Sequence, residues 1–306
     1  MKKITLILVL ITAGGGLANA QQTPQATPTP MQEGVRGRQS SQIRDDINRR
    51  SNELRNVENF PARSNRDSKI FREFIRPLYR EPDKNELKIL SPSAEDTAKF
   101  DEFLKQPRTG LIKLVPEKNC GSDGKVTSAS PECLKYPIPG AGSSYSFRID
   151  NYRLARLADL NYTGKAFRAF GVLTHGILAS LGDVPLEQVN LQSNSVAQLM
   201  QLEPASNFKE AEEFALKLDK GVQNNEFTYR NILPATENTT YLLRSIAYKG
   251  NSVQSIQGVT FDEMELDKRK EVVVAFRVIR RDEDGTVTLL WKELASKNSP
   301  KLKAVK

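Results

Sequence analysis

His175 is the only histidine in the chain, so mechanisms that need two imidazoles, such as a two-histidine zinc site or an H-E-x-x-H helix, lack their residues. A Ser–His–Asp relay needs one, and Ser143 or Ser144 with His175 and Asp183 supplies the residue types. The local pattern argues against it. Gly140-Ala141-Gly142-Ser143-Ser144 is not the G-x-S-x-G elbow that raises a nucleophile on a strained turn. A lone imidazole beside Gly176 in a β-rich stretch reads as a hydrogen-bonded structural group.

Carboxylates need no motif. Asp282, Glu283 and Asp284 are adjacent, but they fall where a hairpin tip is expected, and solvated acids belong there. They lack the alternating spacing and distal Glu of a calcium loop, as does Asp123-Gly124. A paired-carboxylate glycosidase would also want aromatic surfaces for sugar stacking, and the chain has one Trp. No G-x-x-x-x-G-K-[ST] or G-x-G-x-x-G loop is present to cradle phosphate. The sequence therefore assigns no catalytic, cofactor-binding or metal-binding residue. Asn161-Tyr162-Thr163 and Asn238-Thr239-Thr240 fit glycosylation sequons.

Cys120 and Cys133 are the only cysteines, and a polar Gly/Ser/Pro segment separates them. A structural zinc site wants four Cys/His ligands, and only His175 could join this pair. The spacing is not C-x-x-C either. A disulfide between Cys120 and Cys133 is expected in an oxidising compartment, stabilising the fold by about 3 kcal/mol.

That compartment is suggested by the N-terminus. Lys2 and Lys3 precede the apolar run Ile4 to Ile11, and Ala18-Asn19-Ala20 has the small-x-small form of a signal peptidase site. Residues 1–20 are read as a signal peptide, with Gln21 opening the mature chain. Residues 21–35 read as a Pro/Thr/Gln-rich linker. Residues 36–115 read as an N-terminal, mainly helical segment rich in Arg. In it, Ile43, Ile47, Leu54 and Val57 mark a narrow seam between Ser40 and Val57. Ile70, Phe71, Phe74, Ile75 and Leu78 mark a broad stripe that Pro77 should end or kink; an Arg-bearing amphipathic helix could lie on a membrane surface, but five large apolar residues are more economically assigned to the core. A third helix opens at Ser91-Pro92 and buries Phe100, Phe103 and Leu104.

Residues 116–294 read as an α+β globular domain. Strands are expected at Leu111–Val115 just before it, then at 144–149, 152–162, 166–170, 172–181, 227–232 and 240–249. The clearest helix starts at Asn207, with Glu210 completing a capping-box-like pair and Gly221 as the left-handed stop. The run from Glu271 to Leu294 reads as a hairpin. Val274, Phe276 and Val278 fall on one face of its first arm and Val273, Ala275 and Ile279 on the other, so that arm should be buried on both sides. Residues 295–306 read as a basic flexible tail. The fold class is α+β: a mainly antiparallel sheet domain with one or two packed helices, preceded by an Arg-rich helical segment.

The formal charge is +8. Residues 33–81 hold twelve Arg/Lys against eight Asp/Glu, and residues 292–306 hold five Lys against one Glu. The body between them is slightly acidic. Basicity on the flanks is not the signature of a sequence-specific nucleic-acid module, which carries it on the folded domain. The functional expectation is an exported, non-catalytic binding or interaction module of the cell envelope or extracellular space, soluble and without a cofactor or transmembrane segment. Its partner is a protein or an anionic envelope polymer. The alternatives are an extracytoplasmic hydrolase using His175 or a carboxylate pair, and a binder of anionic polymer through the basic flanks.

Overall fold

The structure is a computed structural model that describes residues 63–117 and 138–303. The expected signal peptide, the linker, the Ser40–Val57 helix and the Cys120–Cys133 bond lie outside the described residues.

The hairpin expected between Glu271 and Leu294 forms, and longer than its pattern implies. Strand β14, Lys270–Arg281, pairs with β15, Val287–Asn298, and Phe276 stands opposite Trp291. The loop between them closes through Gly285, which takes positive φ, with Asp282 N–H donating to the Thr286 carbonyl. Around this hairpin lies a six-stranded antiparallel sheet. Its order is β1 (Thr109–Leu114), β15, β14, β11 (Thr240–Ala247), β7 (Thr174–Gly182) and β6 (Phe170–Gly171). Where β1 passes β15 the Trp291 ring lies over Gly110, and a Cβ there would come within 2.4 Å of the indole nitrogen.

Period two assigns the two faces of this sheet, and both are covered. One face presents Val274, Phe276, Val278, Leu289, Trp291, Tyr241 and Leu243. It packs on a smaller sheet ordered β10 (Ile232–Pro234), β5 (Ala166–Arg168), β4 (Leu160–Tyr162), β2 (Ser144–Ser146) and β3 (Asn151–Tyr152), which contributes Tyr145, Phe147, Tyr162 and Phe167. Phe167 meets Phe276 edge-on, with centroids 5.2 Å apart. The other face presents Ile177, Ala179, Leu242, Ile246, Val273, Ala275 and Leu290 to helices. The longest of these, Phe208–Lys220, has Asn207 as its cap, accepting from Glu210 N–H, and stops at Gly221 with φ 101°. The fold is therefore mixed α+β with large antiparallel sheets, as the sequence implies.

Three expectations need correction. β1 is a strand of the central sheet, so no boundary separates a helical segment ending at residue 115 from the domain after it. The supposed flexible tail is folded as far as residue 303: β15 runs to Asn298, Leu302 is buried, and parallel bridges join Lys301 to Lys249 and Lys303 to Asn207. Its lysines hide this in the sequence, because pairing uses the backbone and one buried leucine suffices to pin the end.

The third correction concerns the stripe from Ile70 to Leu78. The chain is α-helical over Asn65–Ile70, widens to a π turn over Phe71–Ile75, and tightens to a 3-10 turn over Arg76–Tyr79. Pro77 accounts for the change, since it has no N–H for the Glu73 carbonyl and its ring needs room. Ile75 and Tyr79 pack with Phe261 and Met264 of the hairpin formed by β12 (Val253–Ile256) and β13 (Val259–Asp262) and the turn after it. Phe74 and Leu78 point outward.

Candidate functional site

His175 lies on β7 and faces the helical layer. Its Nδ1 is 3.1 Å from the Tyr248 hydroxyl, which accepts a hydrogen bond from Ala205 N–H at 2.9 Å. The Ala211 backbone is the other hydrogen-bond partner of the ring. Burial lowers the pKa of His175 to about 4 and the Ala211 bond only partly offsets this, so the ring is neutral. The remaining wall is Phe214, 5.5 Å away between centroids.

The structure does not bring the other relay residues to His175. Ser143 donates to the Gly140 carbonyl at 2.8 Å, and Ser144 belongs to the small sheet on the opposite face of the central sheet. Asp183 is an exposed partner of Arg277 at 2.5 Å. Asp282 pairs with Arg280 at 2.9 Å, and Asp284 accepts from Thr286 N–H, so these acids build the hairpin turn. Among the described residues no group of three or more His, Cys, Asp or Glu could hold a metal ion. Of the two sequons, Asn161 is buried in β4 and Asn238 is exposed in a turn.

Sequence reasoning missed a buried ionic cluster. Arg148, its side chain wholly enclosed, donates to Asp159 at 2.7 Å, to Asp267 at 2.8 Å, and to the carbonyls of Lys268 and Leu157. Asp159 also accepts from Ser146 and Ser245. Arg269 donates to Asp267 and to the Val172, Leu173 and Tyr248 carbonyls. Burial pushes the Asp267 carboxyl up, but Arg148 and Arg269 outweigh it, so it sits below the usual carboxylate range. Burial, with the neighbouring Arg148 charge, lowers Arg269 to about 10. Arg153 donates to the Tyr79 carbonyl at 2.9 Å and to the Leu266 carbonyl, and the Tyr79 hydroxyl donates to Glu263. The cluster ties the small sheet, the segment Glu263–Arg269 and the end of the Asn65–Tyr79 helical run into one unit. On the other face of the central sheet Arg244 works alone. It bonds Glu271 at 2.8 Å and the Leu199, Met200 and Leu202 carbonyls, closing the C-terminus of helix Asn194–Met200. These arginines are held by carboxylates and carbonyls in the interior, which makes them structural ties.

The surface offers two further groupings. Bridging brings Lys249 beside Lys301, with Lys303 two residues on against Asn207, and Lys270 begins β14 opposite Asn298. Lys268, two residues before Lys270, is exposed, as are Lys249, Lys301 and Lys303. None of these five lysines has a carboxylate partner among the described residues, whereas nearby Lys297 reaches Glu271 at 3.2 Å. The second grouping is the exposed side of the Asn65–Tyr79 run, which carries Arg66, Lys69, Arg72 and Arg76 as well as Phe74 and Leu78. Compared with protein-family models, with curated proteins and with solved structures, the chain matches none.

Proposed function

We propose that this protein is a non-catalytic interaction module that holds an anionic partner at its lysine end. The carrying observation is the folded C-terminal segment: it sets Lys301 beside Lys249 and leaves both, with Lys268, Lys270 and Lys303, unneutralised. Like charges gathered without counter-charges raise the local potential, and an anion recovers that energy. Export fits this reading through Lys2, Lys3, the apolar run Ile4 to Ile11 and Ala18-Asn19-Ala20, and exported protein is where a Cys120–Cys133 bond would form. Among the described residues no helix is long and apolar enough to cross a membrane.

The test is retention of the full chain on immobilised heparin, eluted with salt. Lys249→Gln/Lys301→Gln/Lys303→Gln should elute at lower salt than wild type, with its melting temperature unchanged, because bound counterions are released in proportion to the contacts made. Coincident elution of the two proteins would remove the lysine end from the reading.

A further inference from the structure

The Asn65–Tyr79 run is fixed in rotation. Its inward side is locked by Ile75, by Phe71 and Tyr79 against Phe261 at 5.5 and 6.0 Å between centroids, and by the Arg153 bond to the Tyr79 carbonyl. What faces out is therefore held out. Phe74 is 57% exposed and Leu78 48% exposed, one turn apart. Arg66, Lys69 and Arg76 have no carboxylate partner among the described residues, and Arg72 reaches only Glu73, at 4.0 Å. Glu73 is the exposed acid of the run, and Asp67 is half-buried.

We infer that this face docks on a lipid bilayer carrying anionic headgroups, with Phe74 and Leu78 entering the boundary between headgroups and acyl chains. The mixture of side chains selects this partner. A hydrophilic polyanion would use the cations and leave Phe74 and Leu78 in water. A protein groove reads apolar anchors over two turns, at i, i+4 and i+7. Here the face stops after one, because Ile70 is packed inward and the helical run ends at Tyr79. A bilayer surface uses both kinds at once. Short apolar insertion is compatible with long Arg and Lys stems reaching back to phosphate, and each cation is expected to strengthen partition about fivefold. This surface is distinct in sequence from the lysine end, and its test does not depend on that reading.

The experiment is co-sedimentation of the full chain with phosphatidylcholine vesicles, with and without phosphatidylserine. Wild type should partition onto the anionic vesicles and not onto phosphatidylcholine alone. Phe74→Ser/Leu78→Ser should lower that partition about tenfold or more with only a small shift in melting temperature, since about half of each side chain is already in water. In a second variant, Phe74→Trp, emission should shift to the blue when anionic vesicles are added. The native Trp291 is buried and gives the baseline. Wild-type binding by the serine variant, an unshifted Phe74→Trp spectrum, equal binding to both vesicles, or no binding would each overturn the proposal. If the serine variant fails to fold, the tryptophan spectrum decides.

Discussion

At the scale of single residues, what matters most about His175 is where its proton is absent. Unfolded, the imidazole protonates near pH 6.5, and folded it resists until about 4. Between those values the unfolded chain binds more protons, so this residue makes stability fall as pH drops from 6.5 to 4, by about 3 kcal/mol in all. Above pH 6.5 it contributes no slope. Urea unfolding of wild type and His175→Gln across that window should therefore give curves that converge toward acid, with the slope reduced in the variant. Parallel curves would show that the imidazole titrates alike in both states. The residue attracts attention in the sequence, and the fold holds it buried, with Ser143 bonded to the Gly140 carbonyl and Asp183 to Arg277. A sole histidine near serines and an aspartate looks like a relay, and only three-dimensional placement shows Tyr248 and the Ala211 backbone as the hydrogen-bond partners of the ring.

At the scale of elements, two phenylalanines separate what periodicity reveals from what it conceals. Phe276 lies on a strand apolar on both faces, and it is wholly buried between the two sheets. Phe276→Ala is expected to cost about 3–5 kcal/mol, read as a shift of the urea midpoint. Phe74 sits in an equally clear 3.6-residue pattern, yet Phe74→Ala should change stability by less than about 0.5 kcal/mol. Equal effects of the two substitutions would refute the assigned burial. A strand's period of two admits only two faces, and neighbours on both sides bury them all. A helical stripe can be wider than the surface it meets, and Pro77 rotates the last turns by converting the ladder from π to 3-10. The Phe208–Lys220 helix was legible because its cap, acidic first turn, basic end and glycine stop are all local. The ties made by Arg148 and Arg244 were not legible, since Asp267 and Glu271 are distant from them in sequence and charged residues in a β-rich stretch carry no mark of burial.

At the scale of the whole molecule, the C-terminal segment joins stability to charge, and the two are separable. Leu302 is buried in the helical-face core, while Lys301 and Lys303 on either side of it are exposed. Cutting the chain after Leu294 would remove both, together with the last four residues of β15 and the Lys297 partner of Glu271, so loss of binding would not distinguish charge from unfolding. Point changes do. Leu302→Ala deletes apolar volume without altering charge and should destabilise by about 2–4 kcal/mol, with the slope against urea unchanged. At temperatures well below its midpoint it should still be retained on heparin. Lys301→Gln/Lys303→Gln should do the reverse, keeping the unfolding midpoint and eluting from heparin at lower salt than wild type. The bridges to Lys249 and Asn207 make this crossing a demanding one, because they require the segment to be docked whenever the lysines act. If Leu302→Ala left the midpoint unmoved, the segment would not be part of the fold. The lysines would then act from a free tail, and the arrangement beside Lys249 would have no bearing on what they bind.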